Sequence, residues 1–213
     1  MSPVAEPALP GRIIKQQRGQ KTYDALIATG FELLEERELE AITIAELAQA
    51  AGYSVGAFYA RFRSKDEFFD AMIAHHMKHR TKSRERLFAT LPDEALIGEL
   101  IKDLVLYYWK RRRFWRAALM RSIREPAFWE PLRRHGLELG DLLILRIGAR
   151  AGRRLTKAEG MNVRFALQVA LGTINNAIIN RPGPILIEQG LFVENLVRTF
   201  RLVSDYDALV GIE

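Results

Sequence analysis

The chain has 213 residues, 48% of them hydrophobic, with no cysteine and a formal charge of +6. That length supports one large domain or two small ones with a real core, and the missing cysteine removes disulfides, thiolate zinc sites and a Cys nucleophile. No apolar run approaches the ~18 residues of a membrane span, and the N-terminus lacks the apolar stretch of a signal peptide, so a cytoplasmic protein with no membrane partner is expected. Proline position then organises the elements. Three of the eight prolines precede Gly11 and none lies between Gly11 and Leu91, which leaves room for long helices. Residues 1–11 read as a disordered tail. A first helix is predicted over roughly 18–37, where Tyr23, Leu26, Ile27, Gly30, Phe31 and Leu34 share one face.

Two short helices follow, at about 44–51 and 54–61. Thr43 and Glu46 have the spacing of a capping box, and Ile42 and Leu47 that of a hydrophobic staple. Gly52 stands where the bend needs a left-handed residue, and Ser54 caps the second helix. Such a helix-turn-helix can lay its second helix in the DNA major groove. Ser64 and Glu67 repeat the capping box and open a long helix that reaches the late 80s. Phe68, Phe69, Met72, Ile73, His76 and Met77 form its buried stripe. Helices are then expected over 93–112 and 114–124, with a break near Arg111–Arg113. Another runs from Pro126 or Pro131 to about Ala151. Thr156 and Glu159 cap a helix that reaches about Asn180, the RPGP stretch at 181–184 turns the chain, and a last helix occupies about 187–209. No strand pattern competes, so the fold class is all-α.

The last two helices are apolar on more than one side, which calls for burial on both. A symmetric dimer of two helices per subunit supplies it, with Ala170, Ile174, Ala177, Leu196 and Phe200 as the expected interface. The charge surplus lies in the middle of the chain. Residues 1–90 carry 13 Lys/Arg against 12 Asp/Glu, and residues 91–154 carry 14 against 8. Arg12, Lys15, Arg18 and Lys21 nevertheless come with no acid among them. His75, His76 and His79 invite a metal reading, but the run HHMKH lacks the glutamate of HExxH and no carboxylate completes a site. No metal and no cofactor is expected. The run Lys110–Arg113 with Arg116, Arg121 and Arg124 reads as a solvated face or as an attractor for an anion.

The pattern T-I-A-x-L-A-x-x-A-G-Y-S-x-G-A-F-Y-x-x-F-x-S-K-D-x-F, from Thr43 to Phe68, resembles the TetR family of bacterial helix-turn-helix transcriptional regulators. Two departures stand out: Arg61 where the family often has His, and the basic aromatic run Arg113–Arg116. The resemblance implies a three-helix DNA-binding domain at 12–66 and an effector-binding and dimerisation domain at 67–213. It implies a homodimer that binds a palindromic DNA operator as a repressor and releases it on binding a small molecule. Tyr59 and Lys65 look like phosphate contacts by that pattern, and Lys65 also because it stands in the first turn of a helix. Val55 and Ala57 can touch a thymine methyl, and Gly56 lets backbone approach the duplex. Thr43 and Ser54 can cap, contact phosphate, or both, and Tyr53 can contact phosphate or pack. Arg12 and Arg18 can track the minor groove as an arm or merely solubilise the terminus. A sensor pocket is expected to take residues from Met72, His76, Tyr108, Trp109, Trp115 and Met120.

Two other function classes compete. An enzyme finds no support: there is no phosphate-binding glycine loop, no nucleophile with a paired base and no carboxylate–histidine set. The alternative is a DNA-binding dimer whose C-terminal domain recruits a protein partner, for which the Arg111–Arg113 run is available.

Overall fold

The computed structural model describes residues 10–211, and its elements are helical throughout. They are α1 (Pro10–Glu36), a 3-10 turn (Leu39–Ala41), α2 (Ile44–Ala50), α3 (Val55–Tyr59), α4 (Lys65–Thr90), α5 (Leu96–Lys110), α6 (Arg112–Arg124), α7 (Glu130–Arg150), α8 (Lys157–Asn180), α9 (Gly190–Ser204) and α10 (Tyr206–Val210). Residues 1–9 of the expected tail lie outside the described residues, while Pro10 and Gly11 belong to α1. That helix therefore starts well before residue 18. Proline suits a first helical position, where its missing N–H needs no partner. The expected last helix is two, because Asp205 adopts φ 52° and breaks the ladder between α9 and α10. Aspartate tolerates that left-handed geometry better than most residues.

The chain divides into two compact units, one ending at His76 and the other starting at Met77, so the division falls inside α4. The first unit is built on Leu26, Ile27 and Leu34 of α1, Leu47 and Ala48 of α2, Phe58 of α3, and Phe68, Phe69 and Met72 of α4, all buried. Phe58, Phe62 and Phe68 pack mutually at centroid distances of 5.3, 5.6 and 5.1 Å, in tilted and edge arrangements that aromatic rings favour. The ring of Phe68 also fixes the approach of α1. A Cβ placed on Gly30 would sit 2.6 Å from its Cζ and 3.1 Å from Met72 Sδ. Gly30→Ala is therefore expected to lower the melting temperature. Overpacking costs about 1–3 kcal/mol, and only about 1 kcal/mol returns through helix propensity. A melting curve at or above the wild-type temperature would show that α1 can move aside.

The second unit is centred on α5, whose Leu96, Ile97, Leu100, Ile101, Leu104 and Val105 are all buried. Around it lie α8 and α9, paired along their lengths, with α6 and α7 against α8. Thr156 and Glu159 form the expected capping box at the head of α8. No helix among the described residues is long and apolar enough to cross a membrane.

Candidate functional site

The helix-turn-helix is held by local chemistry at three helix starts. At α2 the Thr43 hydroxyl accepts from the Glu46 N–H at 3.1 Å, and the Glu46 carboxylate accepts from the Thr43 N–H at 2.8 Å. The Thr43 hydroxyl also donates to that carboxylate at 2.8 Å, and Arg37 lies 3.1 Å from it. These bonds, the Thr43 N–H first, hold the Glu46 carboxyl down at about 2. Gly52 takes φ 78°, as the bend requires. At α3 the Ser54 hydroxyl accepts from the Ala57 N–H at 3.2 Å. At α4 the Ser64 hydroxyl accepts from the Glu67 N–H, but the Glu67 carboxylate reaches back to the Arg63 N–H at 2.6 Å, one residue beyond the usual box.

With its start fixed by Ser54, α3 buries Phe58 and turns Ser54, Val55, Gly56 and Tyr59 outward. Tyr59 is 53% exposed and stands edge-on to Phe58 at 5.5 Å, so packing aims a polar tip at solvent. Tyr53 and Ala57 are half-buried at its sides. Lys65 is half-buried too, and its Nζ donates to the Glu40 carbonyl at 3.3 Å. Burial pulls its pKa down. The ammonium thus spends one of three donors on the Leu39–Ala41 turn and keeps two. Arg18 is exposed on α1, on a helix rather than an extended arm, and the Arg12 side chain lies outside the described residues.

Residues 26–72 match the sequence model of the bacterial regulatory proteins of the tetR family. Over that stretch, which holds the helix-turn-helix, the chain is similar to that family. An uncharacterized HTH-type transcriptional regulator of Bacillus subtilis (strain 168), YwcC, is 40% identical over 91 residues, which span 43% of this chain and 38% of that relative. Two solved structures share the fold. A transcriptional regulator from Cytophaga hutchinsonii superposes with a TM-score of 0.65 at 16% identity, over 88% of this chain and 96% of its own. A tetR-family regulator from Streptomyces coelicolor gives 0.61 at 18%, over 91% and 82%.

The six residues expected at a pocket belong to both units. Met72 and His76 are buried residues of the first unit. In the second unit Trp115 is buried and stacks on half-buried Tyr108, with centroids 4.3 Å apart and planes 8° from parallel. Trp109 is half-buried beside the guanidinium groups of Arg112 and Arg181, and Met120 is 46% exposed. A cavity of about 250 Å³ lies elsewhere, among the end of α8, the 181–188 stretch and α9, lined in part by Asn176, Arg181, Leu186, Phe192 and Asn195. Part of the arginine run fastens the fold, both locally and across it. Arg112 donates to the Trp109 carbonyl, Arg116 to the Ile178 carbonyl, and Arg121 pairs with Glu125 at 3.2 Å. No group of three metal-ligating side chains occurs among the described residues.

The five residues expected between subunits face the inside of one protomer. Ala170, Ile174, Ala177, Leu196 and Phe200 are each at most 5% exposed. The apolar side chains that α8 and α9 leave in solvent are Met161, Phe165, Leu191 and Leu202.

Sequence reading passed over a polar cluster inside the second unit. Arg80 and Arg84 of α4 are both buried. Arg80 pairs with Asp103 of α5 at 2.5 Å and lies 4.1 Å over the Tyr107 ring. Arg84 Nη1 donates to the carbonyl of buried His135, on α7, at 3.5 Å. The signal was present in the spacing: Phe69, Ile73, His76, Arg80 and Arg84 continue one stripe down α4.

Proposed function

We propose that this chain is a DNA-binding transcriptional repressor, acting as a homodimer on a palindromic operator and released by a small-molecule effector. The observation that carries it is the outward set on α3: Ser54, Val55, Gly56 and Tyr59 beside the heads of α2 and α4, where Thr43 and Lys65 stand. Free N–H groups at a helix start favour phosphate, and Lys65 adds a positive charge at the second of these starts. Between two such starts, α3 offers small groups that fit a groove floor. A two-fold dimer repeats the set for the second half-site. The exposed apolar side chains Met161, Phe165, Leu191 and Leu202 of α8 and α9 support that dimer, because large apolar side chains left in solvent ask for cover. Gly172, exposed on α8 with open space where a Cβ would stand, leaves room for a neighbouring helix.

The test is Lys65→Ala. A phosphate contact carries no base information, so binding to every duplex is expected to weaken by a similar factor, and the salt slope to fall by about one. The readout is anisotropy titration of the operator and of an unrelated duplex over a range of salt. Wild-type affinity and slope would leave Lys65 only its bond to Glu40.

A further inference from the structure

We propose that the second unit holds its effector through a carboxylate paired with Arg84, at the side-chain cluster where α4, α5 and α7 meet. This rests on the effector reading above and gives it a chemical class.

Arg84 is 6% exposed. Its Nε finds no hydrogen-bond partner among the described residues, and its one hydrogen bond is the long one to the His135 carbonyl. The acid nearest to hand, Asp103, is engaged by Arg80. Among the described residues, the two buried guanidinium groups therefore share the Asp103 carboxylate, and a unit of positive charge is left over. Glu138, the acid beside His135, is no substitute: it lies 3.6 Å from His135 Nδ1, with its side chain 58% exposed. An uncompensated buried charge is expensive, and an arrangement that keeps one is poised for a counter-ion.

The neighbouring groups agree. His135 Nε2 also lacks a partner among the described residues. Burial first, and the Arg84 charge second, push the His135 imidazole down to about 4, so it is neutral at pH 7. Burial pulls the Arg84 guanidinium down only to about 10, so it stays charged. Nε and an Nη of one guanidinium form a planar fork that matches the two oxygens of a carboxylate. The body of the ligand would meet Tyr108, stacked on Trp115, and the ring of Tyr107. Both tyrosines are half-buried, so the cluster reaches solvent along α5. The class is a small organic acid with an apolar or aromatic body.

The experiment uses the full-length protein with benzoate and decanoate as probes and their methyl esters as uncharged counterparts. Calorimetric titration runs to ~10 mM, the range in which so small a ligand is expected to bind. At least one acid is expected to bind wild type, its ester to bind at least tenfold more weakly, and Arg84→Met to lose the acid by a similar factor. Arg84→Met is also expected to melt no lower than wild type, since the variant removes an unpaired charge and keeps the volume. Binding of neither acid, or equal binding by Arg84→Met, overturns the proposal. A lower melting temperature for Arg84→Met, rescued by Arg84→Lys, would make the residue a structural strut and overturn it too. Operator release separates the two readings. Acid binding that depends on Arg84 but leaves the operator bound would keep the site and remove the effector role. Release by an ester that persists in Arg84→Met would keep an effector and remove the carboxylate.

Discussion

Ile174→Glu is expected to unfold the second unit, whereas Phe165→Glu with Leu202→Glu is expected to give a folded monomer. The three residues lie on the same two helices, and the difference is direction. Ile174 is wholly buried inside one protomer, while Phe165 is 54% and Leu202 70% exposed. A carboxylate at Ile174 loses water and finds no partner, at a cost of about 3–5 kcal/mol beyond the lost apolar burial. Domains of ordinary stability hold 5–15 kcal/mol, so this change alone takes a large share. Glutamate at 165 and 202 stays hydrated in the protomer and becomes costly only when a second copy covers it. Circular dichroism and sedimentation on both variants decide the matter. An Ile174→Glu protein that melts near wild type would deny the burial. A dimer undisturbed in Phe165→Glu/Leu202→Glu would move the interface off this face.

Gly56→Leu is expected to lose operator binding by about 30-fold to 10⁴-fold with the fold intact. A Cβ at position 56 points into open space, with only the Ser54 hydroxyl near it at 3.7 Å, and the backbone there is ordinary helix. Leucine is the better helix former by about 0.8–1 kcal/mol, so stability is held or raised. On DNA the same side chain stands where backbone is proposed to approach the groove. If each half-site loses what one mismatched base pair costs, about 1–3 kcal/mol, a dimer loses about twice that. Anisotropy titration at fixed salt measures it. Affinity within threefold of wild type would place α3 off the groove floor.

What could be read from sequence was local. Thr43 with Glu46, Ser54 and Gly52 announce themselves because a cap or a left-handed turn is set by residues within four positions of one another. The helix layout of both units followed from these starts and from proline spacing, giving the all-α, helix-turn-helix architecture. What escaped was direction and context. On α8 and α9 the periodicity marks apolar faces, but it cannot say which face turns toward its own protomer. Ile174 and Phe165 look alike until packing separates them. Arg84 escaped because a charge in a helix usually marks the wet side, and its place on the stripe of Phe69 and Ile73 outweighed nothing until His135, 51 residues later, came to meet it. The early start of α1 at Pro10 was missed because a proline-rich terminus reads as tail.

The three tryptophans, Trp109, Trp115 and Trp129, all belong to the second unit, and the first has none. Intrinsic emission is thus a one-sided reporter. Excited at the red edge of indole absorption, the protein emits from α5, α6 and the start of α7 and from no side chain of the helix-turn-helix unit. Trp115, stacked on Tyr108 one side chain away from the Arg84 cluster, is the most sensitive of the three to an occupant there. A colourless acid titrated against this protein therefore needs no dye of its own.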